Sequence, residues 1–231
     1  MKNNITVLIS SLFLFTAINA QSPVNDLTGV SFLIGYEYVD ASALQAFTGA
    51  GAPELQQNNI SFGGQFIEIT NNWVVTGGGY GFHSPTTSTD SLDYNLNAGF
   101  GELGLGYLIV NSGTLKMYPA ISLGGGTYEM QITNNQNISA ANIASDPGQE
   151  INISRGYFTG DVALNIDLTP SMTLDEATYE YSGFLVGFQI GYTQGLAVSS
   201  WKYTGGNITD GPDFNPGMIY ARFKLGFMSN D

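Results

Sequence analysis

The chain contains no cysteine, one histidine (His83) and only six lysines and arginines in 231 residues. Without cysteine there is no disulfide framework, and no lipid can be attached to a cysteine after an export signal. With His83 alone and no thiolate, the usual ligand sets for zinc and haem are missing, and no cofactor is expected. Charge of both signs is scarce. Charged residues make up 11% of the chain, against about 25% in ordinary soluble domains, so there is little to cover a water-facing surface. The few charges are also unequal. The net charge of −13 repels nucleic acid, and no basic patch is visible in the sequence. Long apolar runs are nearly absent too. The one candidate, Val7 to Ala17, is shorter than the roughly 20 residues that a membrane helix needs. Lys2 precedes it and Ile18-Asn19-Ala20 follows it, the layout of a cleavable export signal over residues 1–20. Residues 21–231 are then expected to form one β domain, and losing Lys2 takes the net charge to −14.

What the chain does have is alternation. Phe158, Val162, Leu164, Ile166 and Leu168 share one parity, while Thr159, Asp161, Asn165 and Asp167 share the other. A period of two places these sets on opposite faces of a strand. Eight such segments can be read, near Gly29–Val39, Asn59–Thr70, Trp73–His83, a fourth ending at Leu103–Ile109, Leu115–Thr133, Phe158–Leu168, a seventh through Phe184–Tyr192 and an eighth through Ile219–Phe227. The third has no clear parity. Long connections are expected at Asp40–Asn58, Ser84–Asp93, Asn134–Arg155 and Gln194–Pro216. Short ones fall at Asn71-Asn72 and Asn111–Thr114, and a medium one at Thr169–Tyr179. Long and short connections therefore take turns, as in an antiparallel up-and-down barrel with an even strand count.

The face opposite the apolar one decides where the barrel sits. In the seventh segment it carries Gly183, Leu185, Gly187, Gln189, Gly191 and Thr193, and in the eighth Tyr220, Arg222, Lys224 and Gly226. Small residues suit a crowded lumen better than a wetted exterior. The apolar face is therefore assigned to lipid, which makes the fold all-β, an eight-stranded transmembrane barrel. Tyr36, Tyr38, Trp73, Tyr80, Tyr107, Tyr118, Tyr192 and Tyr220 lie near segment ends, and some of them are expected to form aromatic girdles.

The runs Gly183–Tyr192 and Ile219–Phe227 resemble those of small outer-membrane β-barrel proteins of Gram-negative bacteria, of the OmpA/OmpX type and the porin-like PorT group. The resemblance covers the mature chain, although Met228–Asp231 follow the aromatic residue that usually closes such chains. It implies an outer-membrane location and contact with outer-membrane lipid, lipopolysaccharide and the barrel-assembly machinery. Other envelope proteins could meet the loops. It brings no catalytic residues.

Motifs with chemical potential are few. Gly99-Phe100-Gly101-Glu102-Leu103-Gly104 has dinucleotide-fingerprint spacing but continues as a strand, so no helix N-terminus is there to hold a pyrophosphate. The triplets Gly77–Gly79 and Gly124–Gly126 lack a following Lys-Ser/Thr and read as sites of strand bending or close packing. His83-Ser84 raises a lipid A-modifying hydrolase, but no acid stands at a recognisable spacing. The loop acids Asp90/Asp93, Asp146/Glu150 and Asp210/Asp213 match no calcium loop. Asn137-Ile138-Ser139, Asn152-Ile153-Ser154 and Asn207-Ile208-Thr209 carry no weight as sequons in a bacterial envelope. The main expectation is a non-enzymatic barrel whose lumen is filled by a charge network of Glu37, Glu102, Asp161, Asp167, Arg222 and Lys224, with four long loops for structural, adhesive or binding roles. A narrow channel, a lipid-modifying enzyme and a soluble ligand-binding barrel are the rival readings.

Overall fold

The structure, a computed structural model, describes residues 26–48, 54–112, 114–134, 150–170, 173–175, 180–203 and 206–230. The expected export signal, Asp146 and the Asn137-Ile138-Ser139 sequon lie outside them. Eight long strands follow one another: β1 Asp26–Val39, β2 Asn58–Thr70, β3 Trp73–His83, β4 Leu92–Tyr107, β5 Leu115–Asn134, β6 Glu150–Leu168, β7 Glu180–Val198 and β8 Gly217–Ser229. Each pairs antiparallel with the next. β1 also pairs with β8 from Thr28↔Ser229 to Val39↔Met218, and this closes the barrel.

The register fixes the barrel's shape. Following directly paired residues round the wall from Leu168 leads through Val186, Leu225, Phe32, Gly64, Gly79, Gly101 and Gly125 back to β6 at Phe158. The stagger is therefore ten residues, from 168 to 158. With eight strands about 4.8 Å apart and a rise of about 3.3 Å per residue, that stagger tilts the strands by about 40°. A backbone cylinder of roughly 8 Å radius follows, and side chains can fill it.

The strands differ in length for a physical reason. β5, β6 and β7 have 20, 19 and 19 residues, whereas β3 has 11. A tilted strand of about ten residues already crosses the apolar band. The upper parts of β4–β7 therefore stand above the rim as a sheet. Its edges are extended by Thr87–Ser88 against β4 and by Trp201–Tyr203 and Gly206–Ile208 beside β6. β6 begins eight residues before the Phe158 read from sequence and β7 ends four residues after Gln194. In the β6 extension the pattern reverses: Glu150, Asn152, Ser154 and Gly156 stand on the outer parity while Ile153 and Tyr157 are buried on the inner one, which is why the sequence reads as loop there.

The apolar parity faces outward. Val30, Phe32, Ile60, Phe62, Leu103, Leu105, Val162, Phe188, Phe223 and Leu225 are exposed, Leu103 by 73%. Leu164 and Val186 lie on the same face and are half-buried by their neighbours. The alternate residues Thr159, Asp161, Asn165 and Asp167 are buried inside. The parity of β3, unreadable in sequence, is set by Val74, Thr76, Tyr80 and Phe82 pointing in and Trp73, Val75 and His83 pointing out. Gly77–Gly79 had erased the signal. Of the eight aromatics near segment ends, Tyr36, Tyr38, Trp73, Tyr107 and Tyr192 are exposed on the outer face. Trp73 and Tyr107 meet edge to face at 5.2 Å at the short-turn end. Tyr80, Tyr118 and Tyr220 point into the lumen and are buried; their parity, not their nearness to a strand end, fixes their direction.

Candidate functional site: a layered lumen

The lumen is filled in three layers. At the short-turn end, Leu27, Ile67, Ile69, Val74, Leu108, Leu185 and Met228 form an apolar floor with Tyr118 and Ala120. At the long-loop end, Tyr80, Phe82, Tyr94, Leu96, Phe100, Tyr128, Met130 and Tyr157 form a second apolar layer. Loop side chains complete it: Leu44 ends a short 3-10 turn at Ser42–Leu44, and Leu55 and Phe214 come from irregular chain. The glycine triplets make room here. A Cβ on Gly126 would fall 2.2 Å from the Phe100 ring.

Between the two layers lies a charged belt. Arg222 of β8 donates from Nε and Nη2 to Glu37 Oε1 of β1, at 3.2 and 2.9 Å. Its Nη1 is 4.0 Å from Glu102 Oε1 of β4. The guanidinium lies 3.4 Å from the ring centroid of Tyr80 and 3.8 Å from that of Tyr220, sandwiched between two aromatic faces. Two residues along β8, Lys224 Nζ is 2.5 Å from Asp167 Oδ1. It also donates to Asn165 Oδ1 at 3.1 Å and to the Tyr118 hydroxyl at 3.3 Å. Tyr118 in turn donates to Asp167 Oδ2 at 2.9 Å. Asp161 accepts from Thr193 at 2.8 Å and from Tyr220 at 2.9 Å.

All six residues singled out in the sequence point into the lumen. The fold joins Glu37 and Glu102 to Arg222, and Asp167 to Lys224, across strands that are distant in sequence. Among the described residues no salt bridge reaches Asp161; Tyr220, which also stacks on Arg222, connects it to the belt. Burying such charges is costly unless partners and hydrogen bonds compensate, and here each carboxylate meets a cation or hydroxyls.

Sequence reasoning passed over Tyr80, Tyr118 and Tyr220 as belt members, and it passed over Lys116. Lys116 is buried at the floor, with Nζ 3.4 Å from Thr169 Oγ1. Tyr118 lies two residues from Lys116 and Tyr220 two from Arg222, so each pair shares one face of its strand, and that parity could have found the tyrosines.

The remaining candidates fall elsewhere. His83 projects outward and pairs through Nδ1 with Asn97 Oδ1, not with Ser84, which hydrogen-bonds to the backbone N–H of Leu96. The Gly99–Gly104 segment is β4 strand throughout. Among the described residues no three His, Asp or Glu side chains gather as a metal site.

A closed wall with an apolar outside and an inside filled around buried ion pairs suits a barrel that stands in lipid. It is a small barrel of the outer-membrane type. No protein-family model matches the chain, and no curated protein sequence matches it. Solved structures do. Ail, the attachment invasion locus protein of Yersinia pestis, is 12% identical, with a TM-score of 0.51 over 89% of this chain and 99% of that one. OprG of Pseudomonas aeruginosa is 9% identical, with a TM-score of 0.44 over 92% and 99%. Neisserial surface protein A is 8% identical, with a TM-score of 0.39 over 90% and 98%. At these identities the likeness concerns the fold alone.

Proposed function

We propose that the barrel is a non-enzymatic outer-membrane protein that conducts no solute and works through what it presents above the membrane. The observation that carries this reading is the charged belt between two apolar layers. Arg222 and Lys224 are fully buried, and their partners come from β1, β4 and β6. A solute crossing the lumen would have to break ion pairs in a medium where unpaired charge costs several kcal/mol. The wall then serves as a rigid anchor in outer-membrane lipid and lipopolysaccharide, inserted by the barrel-assembly machinery, and the tall β4–β7 sheet with its loops meets partners in the envelope or beyond it. Loop and sheet acids such as Asp40, Asp90, Asp93, Glu129, Glu150, Asp210 and Asp213 outnumber the basic Arg155 and Lys202 there, which disfavours polyanionic partners. The test is reconstitution of the full mature chain into liposomes. Conductance at the level of protein-free liposomes is expected, and a steady conductance would overturn the reading. Lipid A isolated from cells making the protein should be unchanged; a new lipid A species would point to the enzyme instead.

A further inference from the structure

One described segment of the mouth is held chiefly by side chains of the wall. Residues 210–216, Asp-Gly-Pro-Asp-Phe-Asn-Pro, form no strand, yet they lay Phe214 into the barrel with 1% of its surface exposed. Phe214 meets Tyr128 edge-on at 5.2 Å, Tyr157 edge-on at 6.0 Å and Trp201 face-on at 6.4 Å. Among the described residues this strap makes a single backbone–backbone hydrogen bond to the wall, from Gly195 N to Pro216 O at 3.1 Å. Side chains supply the other polar contacts, and they converge on two carbonyls. Pro212 O accepts from Arg155 Nη1 at 3.2 Å and from Trp201 Nε1 at 2.8 Å. Phe214 O accepts from Arg155 Nη1 at 3.2 Å and from the Tyr157 hydroxyl at 3.0 Å. Arg155 Nε also donates to Ser199 O at 2.8 Å, and its guanidinium lies 5.2 Å from the Trp201 ring and 5.8 Å from that of Tyr157. One arginine therefore fastens both limbs of the connection between β7 and β8.

The side-chain hydrogen bonds from Arg155, Tyr157 and Trp201 go to main-chain carbonyls, and the surrounding rings take one aromatic side chain. The strap turns here, with Phe214 N donating to Pro212 O at 2.9 Å, and it is held as a bound peptide is: donors fix the backbone and a pocket takes a side chain. We propose that the barrel mouth is a peptide-binding pocket occupied by the chain's own strap, with Arg155 as the latch and Phe214 as the plug. With the strap displaced, the pocket takes an aromatic residue of another peptide that carries the same turn. The inference rests on the reading of a non-conducting barrel that acts at its outer end. It adds where a partner inserts and what chemistry the partner carries.

A tethered strap sits at an effective concentration of about millimolar, so a free peptide competes poorly with it. The experiment removes that competition. The chain has two tryptophans, and Trp73→Phe leaves Trp201, which touches the plug, as the only tryptophan, excited selectively at the red edge of the absorption band where the tyrosines do not absorb. In this background residues 211–215 are replaced by alternating glycine and serine, and heat-modifiable gel mobility verifies the closed barrel. The heptapeptide of residues 210–216 is then titrated. We expect a saturable change in Trp201 emission at or below about 0.1 mM peptide, a tenth of the tethered strap's effective concentration, no such change with alanine in place of its phenylalanine, and at least tenfold weaker binding after Arg155→Met. The barrel that retains its strap should need at least tenfold more peptide. A folded strap variant that gives no saturable response, responds equally to the alanine peptide or is indifferent to Arg155→Met would overturn the proposal. If the strap replacement does not fold, Phe214→Ala is read by the same criteria. Liposome conductance of the protein with its strap intact separates the two readings. Current there defeats the filled lumen, whereas absence of current with absence of peptide binding defeats only the pocket.

Discussion

Arg222 shows most clearly what a single side chain does here. It is fully buried, holds Glu37 by two hydrogen bonds, faces Glu102 and lies between two tyrosine rings. Arg222→Met leaves Glu37 without its cation, and breaking one side of a buried pair costs roughly 3–5 kcal/mol. The unfolding midpoint in denaturant should fall accordingly. Adding Glu37→Met should recover at least half of the loss, since removing both charges avoids an uncompensated one. A double variant no more stable than the single one would show that the pair is not the source. Gly187 offers a second test. A Cβ there would fall 2.3 Å from Asp167 Oδ1 and 2.8 Å from Lys224 Cε. Gly187→Ala should thus force the lower ion pair apart and destabilise the barrel by about 1–3 kcal/mol, as overpacking does. Gly99→Ala, whose Cβ would meet nothing within 4 Å, should be close to neutral in the same unfolding assay. The Asn71-Asn72 turn has its own residue-level reason: Asn71 has φ 57°, a left-handed conformation that asparagine tolerates well.

At the scale of the strand, parity carries the information. β8 reads Ile219, Ala221, Phe223, Leu225, Phe227 on one face and Tyr220, Arg222, Lys224, Gly226 on the other, and the fold puts the first set outside and the second inside. An arginine near the bilayer midplane on the outer face costs roughly 2–4 kcal/mol. Phe223→Arg should therefore reduce the yield of heat-modifiable, folded barrel sharply, while Thr86→Arg in the exposed loop between β3 and β4 should leave it unchanged. Equal yields would count against a lipid-facing wall. The same parity explains what the sequence did and did not disclose. It exposed strand identity, closure order and the inward acids and bases, because alternation survives wherever one face is apolar. It failed where the outer parity turns polar and the inner one apolar, at Glu150–Tyr157, and where glycines removed the side chains, at Gly77–Gly79. It also missed Arg155, Trp201 and Phe214, because a loop's insertion into a mouth leaves no periodic trace.

The whole molecule combines a narrow, strongly tilted wall with a lumen sealed at three levels. The apolar floor and the aromatic mouth keep water from a belt whose ion pairs span β1, β4, β6 and β8. The short side of the barrel ends near the rim, and the long side carries the sheet and the strap above it. That asymmetry gives the barrel one tall end. The most direct measurement is planar-bilayer conductance of the full mature chain, made with the same preparation whose heat-modifiable mobility shows it folded. The closed-lumen account expects no current above the bare bilayer for the natural sequence. Stable single-channel openings of the natural sequence would contradict it.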